Sequence, residues 1–145
     1  MTAVPSVGDM MSAYAEDAVD HARTSSDIVL DYTADSVERV ERLLSEMYSA
    51  IPKGFVARAF RRGPSPEQIW TMCKVYGGYL GEVLRREKGG EWRLDKDIVP
   101  GVDTICLQHG ENRIWPPAKV HKRLKNGPED NVWHFFQAVR RDWDK

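Results

Sequence analysis

The sequence predicts an α+β fold, a single domain over residues 1–145 with about five helices packed on a small, mainly antiparallel sheet of three to four strands. Three observations predict this fold. The length of 145 residues suits one domain with its own core. Several segments carry apolar residues at helical spacing. Three short strand-like runs with tight turns also follow one another directly, and such segregation is typical of α+β proteins.

The central helix is predicted from Ser65 to Gly89. Ser65 suits the N-cap, Pro66 suits the first helical position, and Gln68 completes a capping box. Gly89 is the residue type that tolerates the left-handed backbone at a helix end. An apolar stripe at helical spacing lies between these ends: Ile69, Cys73, Tyr76, Leu80, Val83 and Leu84.

Two glycines, Gly77 and Gly81, lie four residues apart on one face of this predicted helix. Each glycine costs about 1 kcal/mol relative to alanine inside a helix. A pair on one face therefore predicts that another element approaches the helix closely there. We expect this helix to be the packing centre of the fold.

Before the central helix, the periodicity predicts a helix over residues 7–23 and a strand at 28–32. A second helix follows, with Thr33 or Asp35 as its N-cap and Glu38 as a capping-box partner of Asp35. It is expected to end at a proline, and residues 53–63 fit either a short helix or a loop.

After the central helix, alternating residues predict strands at 91–95, 102–107 and 113–115, separated by Pro-Gly and Gly-Glu-Asn turns. A short helix is predicted over residues 118–125. The last helix is expected to begin at Pro128.

Composition excludes several classes of protein. No apolar run is long enough to span a bilayer, and the first twenty residues lack the pattern of a secretory signal. Cys73 and Cys106 fall on apolar stripes, which favours buried free thiols in a reducing cytoplasm and leaves a disulfide open. We therefore expect a cytoplasmic protein that does not enter a membrane.

Charge is unevenly distributed along the chain. Residues 1–47 hold ten acidic and three basic residues, a net charge of −7, whereas the whole chain carries −1. Such asymmetry indicates either a surface for a partner or two charged surfaces that attract each other within the fold. The candidate partner-binding residues are four acidic side chains and two aromatic anchors: Asp9, Glu16, Asp17, Asp20, Tyr14 and Trp70.

Glu82 is the one candidate for acid–base chemistry. It lies beside Gly81 and four residues before Arg86. It would act as a general acid or base if it faced an open cleft, and it would be structural if it were paired with an arginine. Burial and pairing in the structure discriminate between these two readings.

Other chemistry has little support in the sequence. The histidines and cysteines show no metal-ligand spacing, no phosphate-binding glycine motif is present, and we predict neither metal nor cofactor. Lysines and arginines cluster after Trp115, but most fall on polar helix faces and the pI is about 6.4, so nucleic-acid binding is not expected. A regulatory module that binds a small ligand between helices and sheet would need a sizeable apolar pocket.

Residues 76–86, read as Y-G-G-Y-L-G-E-V-L-R-R and closed by G-G-E-W at 89–92, resemble small bacterial domains built on a G-x-Y-x-G-E-V-x-R-R helix followed by G-G-x-W. The resemblance extends over residues 28–136 and makes the helix in residues 1–26 an addition to that core. Some similar proteins are regarded as immunity proteins, encoded beside secreted toxins. The resemblance thus implies a non-enzymatic protein that binds and neutralises a toxin, and an acidic surface would suit the basic cleft of a nuclease.

Overall fold

The structure is a computed structural model that describes residues 6–51, 64–95 and 104–143. These residues form five α-helices, a three-stranded antiparallel sheet and one 3₁₀ turn, which confirms the predicted α+β fold class. The predictions for residues 53–63, for the Pro-Gly turn and for the start of the second strand lie outside the described residues. The elements in chain order are α1 (Val7–Ser26), α2 (Ser36–Ala50), α3 (Pro66–Lys88), β1 (Glu91–Asp95), β2 (Thr104–His109), β3 (Asn112–Ile114), α4 (Pro116–Asn126) and α5 (Val132–Asp142), with the 3₁₀ turn Pro128–Asp130 before α5.

Helix α3 begins and ends as its sequence predicts. The hydroxyl of Ser65 accepts a hydrogen bond from the backbone N–H of Gln68, and the Gln68 side chain accepts one from the backbone N–H of Ser65. Gly89 ends the helix with φ at 89°, in the region that favours glycine. Eleven residues of α3 are buried, more than in any other helix of the described chain.

Three glycines of α3 allow three neighbours to approach its backbone. A Cβ atom on Gly77 would lie 2.6 Å from the backbone of Pro117 at the start of α4. One on Gly78 would lie 2.9 Å from a carbonyl oxygen of α1. One on Gly81 would overlap the indole ring of Trp92 in β1. The prediction of a close approach at Gly77 and Gly81 is confirmed, and Gly78 adds a third.

Helix α1 packs on α3 through small side chains. Its buried residues are Met11, Ala15, Ala18 and Ala22. The predicted helix over 7–23 is confirmed, and it continues for one further turn to Ser26. The hydroxyl of Ser6 and the carboxylate of Asp9 form a capping box at its start. The alanines complement Gly78, so the backbones of the two helices lie close together.

The predicted strand at 28–32 is wrong. These residues form an irregular connection between α1 and α2, and they pair with no strand in the described part of the chain. Tyr32 has φ at 63°, and its N–H donates to the hydroxyl of Tyr79 over 2.8 Å. A left-handed residue ends an extended run, and a side chain of α3 takes the donor that a strand partner would need.

The predicted capping box of Asp35 and Glu38 is also wrong. Asp35 already has helical backbone angles, and its side chain makes no capping hydrogen bond. A side-chain cap requires an extended backbone at the N-cap position. Thr33 performs this role, because its hydroxyl accepts from the N–H of Ser36 and its carbonyl accepts from the Ser36 hydroxyl.

The last helix begins later than predicted. Pro128 opens a 3₁₀ turn, and α5 starts at Val132. Asn131 caps α5 because its side-chain oxygen accepts from the N–H of His134 over 2.9 Å. The short helix predicted over 118–125 is confirmed as α4, and Pro116 and Pro117 form its first turn.

The sheet has the order β1-β2-β3, with Trp92 opposite Leu107 and Leu107 opposite Ile114. These three side chains are buried and belong to the core formed with the helices. Because side chains alternate across a strand, the other face of the sheet carries the intervening residues. We call this the outer face; it carries Glu91, Arg93, Asp95, Thr104, Cys106, Gln108 and Arg113.

Candidate functional site

Glu82 is fully buried beneath two arginines. Its carboxylate accepts hydrogen bonds from Arg85 Nε and Nη2, at 2.6 and 3.0 Å. The indole N–H of Trp92 donates to the same carboxylate over 2.9 Å. Arg86 lies 3.9 Å from it and completes the charge compensation.

The pKa of Glu82 is lowered. Burial alone would raise it, but the hydrogen bonds from Arg85 and Trp92 and the charges of Arg85 and Arg86 outweigh that effect. A carboxylate with both oxygens occupied and no exposed surface has no access to a substrate. This arrangement is the structural alternative of the two readings, and it weighs against Glu82 as a general acid or base.

A chain of contacts connects this buried carboxylate to the surface of α1. The guanidinium of Arg86 lies 3.6 Å from the ring centroid of Tyr32. The hydroxyl of Tyr32 donates to Glu16 over 2.8 Å. Glu16 is exposed to solvent and also binds Tyr32, in the segment that connects α1 to α2.

The acidic candidates do share one face of α1, which we call the acidic face: Asp9, Glu16, Asp17 and Asp20, all exposed. Asp9 belongs to the N-terminal capping box, and Glu16 binds Tyr32. Within the described ranges, the carboxylates of Asp17 and Asp20 make no ion pair and no hydrogen bond, although the Thr24 hydroxyl donates to the backbone carbonyl of Asp20. These two carboxylates are the part of the acidic face that has no side-chain partner among the described residues.

The two aromatic candidates lie elsewhere. Tyr14 is partly buried and packs against the core beside Gly78. Trp70 is 44% exposed, but its ring stacks on His121 of α4 with a centroid distance of 4.3 Å. The structure therefore places Trp70 on the α4 side of α3 and does not bring it to α1. Met10 is the exposed apolar side chain on α1, and sequence reasoning did not identify it.

An apolar cavity of about 720 Å³ lies where α2 ends and α3 begins. Its walls include Met47, Ile51, Ile69, Met72 and Leu124. It is not the pocket between helices and sheet that a ligand-binding regulatory module was expected to need. Ile51 and Pro64, which flank residues 52–63, both contribute to its walls.

A second, polar cavity of about 630 Å³ lies on the outer face of the sheet, and sequence reasoning missed it. Asp95 and Arg113 form an ion pair in its wall, with 3.2 Å between Oδ2 and Nη1. Gln108 and Trp115 also line this cavity, and each has one side-chain polar atom, Oε1 and Nε1, that is buried from solvent and for which the described residues provide no hydrogen-bond partner. We call this the outer-face pocket.

The sequence contained part of the information needed to predict this pocket. Polar residues alternate along β1 and β2, which indicates a polar sheet face. The strand register decides which of them meet, and register depends on the turns between the strands. Gln108 stands opposite Arg113 in the structure, and the sequence offered no means of aligning them.

Among the described residues, no group of three histidine, cysteine, aspartate or glutamate side chains is arranged to hold a metal ion. Both cysteines are buried free thiols, which confirms that prediction. None of the described helices has the length and apolar character to cross a membrane. No protein-family model, curated protein sequence or solved structure matches this chain.

Proposed function

We propose that this chain is a non-enzymatic cytoplasmic protein that acts by binding another protein through the acidic face of α1. The observation that carries the proposal is the exposure of Asp17 and Asp20 without a partner in the described part of the fold. Uncompensated surface charge of one sign accelerates encounter with a surface of the opposite sign and orients the two molecules.

Three other acidic side chains of the first third are paired with arginines. Asp31 pairs with Arg39, Glu38 with Arg42, and Glu41 with Arg123. The net charge of −7 already counts Arg39 and Arg42, so only the pair of Glu41 with Arg123 compensates any of it from outside residues 1–47. The acidic face of α1 makes no ion pair within the described residues, and this supports a partner with a basic surface over an internal role.

An apolar contact would lengthen the lifetime of the complex after the charges have oriented the two proteins. Met10 is 43% exposed and adjoins the acidic face on the helix surface. A methionine adapts its shape to the partner, so it suits the centre of such a contact. We assign this role to Met10 in place of Tyr14, whose ring packs against the core.

We further propose that the partner is a toxin that this protein neutralises. The support is the resemblance of residues 76–92 to domains that include immunity proteins, together with the acidic face. A toxin that cleaves nucleic acid has a basic active-site cleft, and an acidic helix would occupy it in place of the substrate.

The experiment is co-expression of this protein with the product of the neighbouring gene. We expect the two proteins to purify as a complex, and cells that express both to survive when cells that express the neighbour alone do not. If the neighbour's product neither binds this protein nor is neutralised by it, the toxin proposal fails.

A further inference from the structure

An exposed tryptophan of α3 stacks on a histidine of α4. The ring centroids of Trp70 and His121 are 4.3 Å apart, and the angle between the two ring planes is 10°. Trp70 is nevertheless 44% exposed. Because His121 covers one face of the indole, the exposed area belongs to the other face and to the ring edge. An open aromatic face of this kind can stack on another planar group.

Two lysines lie beside this pair of rings. Burial lowers the pKa of His121, and the charge of Lys125, one turn later on α4, lowers it further. Lys74 lies one turn after Trp70 on α3, so the two side chains share one side of that helix. Neither lysine forms an ion pair or a side-chain hydrogen bond with another described residue. We call Trp70, Lys74, His121 and Lys125 the aromatic–basic patch.

The directions of the two helices place these lysines on opposite sides of the indole. The backbone at Gly77 lies against Pro117. Trp70, earlier on α3, meets a residue that comes later on α4, so the two helices run antiparallel. Lys74 therefore lies on one side of Trp70 along the helix pair, and Lys125 lies on the other side.

Little negative charge lies close to the patch. Glu67 is exposed one turn before Trp70, and its single charge does not cancel those of two lysines. The acidic face belongs to α1, which approaches α3 at Gly78, whereas α4 approaches at Gly77. Successive residues of a helix point about 100° apart, so α1 and α4 lie on different sides of α3.

An open aromatic face between two unpaired cations matches the chemistry of a single nucleic-acid strand. We propose that the aromatic–basic patch binds single-stranded nucleic acid, with one base stacked on Trp70 and neighbouring phosphates bound by Lys74 and Lys125. Proteins that bind single strands without sequence preference combine these two elements, an aromatic ring for a base and cations for the backbone.

The overall charge of the chain led to the opposite expectation, because a pI of about 6.4 is an average over both surfaces. Residues 48–145 carry a net charge of +6, since the whole chain carries −1 and residues 1–47 carry −7. The patch lies entirely within residues 48–145. Its role is independent of the proposed protein partner, which binds the acidic face.

Two other ligands fit the patch less well. The bases of a duplex are stacked on one another, so none is free to stack on Trp70. A protein segment rich in aspartate and glutamate would neutralise the lysines but would leave the open face of the indole unused.

The test is a titration of a labelled single-stranded DNA of about 12 nucleotides with the full chain, followed by fluorescence anisotropy. We expect a Kd of about 100 μM at about 20 mM salt. The logarithm of the association constant should fall with the logarithm of salt concentration with a slope of about −1.4, the value for two phosphate contacts. An abasic strand of equal length and polyglutamate should each bind about tenfold more weakly.

Variants separate stacking from charge. Trp70→Leu should weaken binding about tenfold at every salt concentration and leave the slope unchanged. Lys125→Gln should weaken binding about fivefold at low salt and reduce the slope by about 0.7. Lys122→Gln is the matched control, because Lys122 is exposed on the same helix but points about 100° away from His121. Glu67→Gln should strengthen binding about twofold, since it removes the nearby negative charge.

Several results would overturn the proposal. These are the absence of binding at low salt, equal binding of the abasic strand, and equal binding of polyglutamate, which would indicate an acidic protein ligand instead. Equal losses in Lys125→Gln and Lys122→Gln would also overturn it, because they would show a diffuse attraction without a defined site. The comparison of ligands on the unaltered chain requires no variant to fold.

Discussion

The indole ring of Trp92 occupies the space beside Gly81 in which any larger residue would place its side chain. A Cβ atom on Gly81 would overlap the Cη2 and Cζ2 atoms of that ring. The same indole donates its N–H to Glu82, one residue further along α3. The glycine and the glutamate therefore fix one tryptophan together, and β1 is held against α3 through it.

Gly81→Ala should destabilise the fold by about 3 kcal/mol, because a buried ring cannot move aside without loss of packing. This loss exceeds the gain of about 1 kcal/mol in helix propensity. Gly8→Ala is the matched control in α1, where the nearest atom to the new Cβ lies 3.7 Å away. Urea unfolding should show Gly8→Ala to be neutral or slightly stabilising. Equal effects of the two variants would contradict the close packing described for Gly81.

Glu82→Gln should lower the free energy of unfolding by about 2 kcal/mol at neutral pH, since Arg85 is partly exposed and water compensates some of the loss. The substitution should also change how the free energy of unfolding depends on pH. The folded-state pKa of Glu82 lies below 4.5, so its contribution is present above that pH and is lost as pH falls through the lowered value.

The measurement is urea unfolding of both proteins between about pH 5 and about pH 3. The unaltered chain should lose more stability over this range than Glu82→Gln. Glu87→Gln serves as control, because Glu87 lies on the same helix as Glu82 and forms a surface pair with Arg140 of α5. Parallel pH profiles of the unaltered chain and Glu82→Gln would refute the assignment of a lowered pKa.

The pair of Glu41 and Arg123 joins α2 to α4 in the interior. Arg123 is 1% exposed, and its Nε and Nη2 atoms donate to the Glu41 carboxylate, which also accepts from the N–H of Val132. Glu41→Gln leaves a buried guanidinium without its counter-ion and should cost about 3 kcal/mol. Glu38→Gln on the same helix removes an exposed pair and should cost less than about 1 kcal/mol. Thermal unfolding measures the loss of stability in each variant. Similar losses in Glu41→Gln and Glu38→Gln would contradict a larger contribution from the buried pair.

Cys73 and Cys106 should resist thiol reagents in the folded protein. Burial raises the pKa of Cys73 to about 12, and it raises that of Cys106 as well. The thiolate is the reactive form, so a disulfide reagent at about pH 8 should modify the native protein at least about a hundredfold more slowly than the chain in urea. Rapid modification of either thiol under native conditions would show that its surroundings are open.

The features of this fold that could be predicted from the sequence depend on residues that lie close together in the chain. The capping box of Ser65 and Gln68 depends on residues three apart, and the glycines of α3 reveal a close neighbour without identifying it. The features that could not be predicted depend on contacts between residues that lie far apart in the sequence. Residues 28–32 have strand composition, but Tyr79, 47 residues after Tyr32, binds the Tyr32 N–H. The outer-face pocket likewise depends on strand register and on the position of Trp115, which no local pattern specifies.

The central claim is that the acidic face of α1 receives the partner. The most direct measurement is the association rate of this protein with the neighbouring gene product at several salt concentrations. Asp17→Lys combined with Asp20→Lys should slow association about tenfold and reduce its salt dependence, while the dissociation rate changes little. Glu38→Lys with Glu46→Lys applies the same change of charge to α2 and should have a much smaller effect. Equal association rates for the two double variants would contradict the claim.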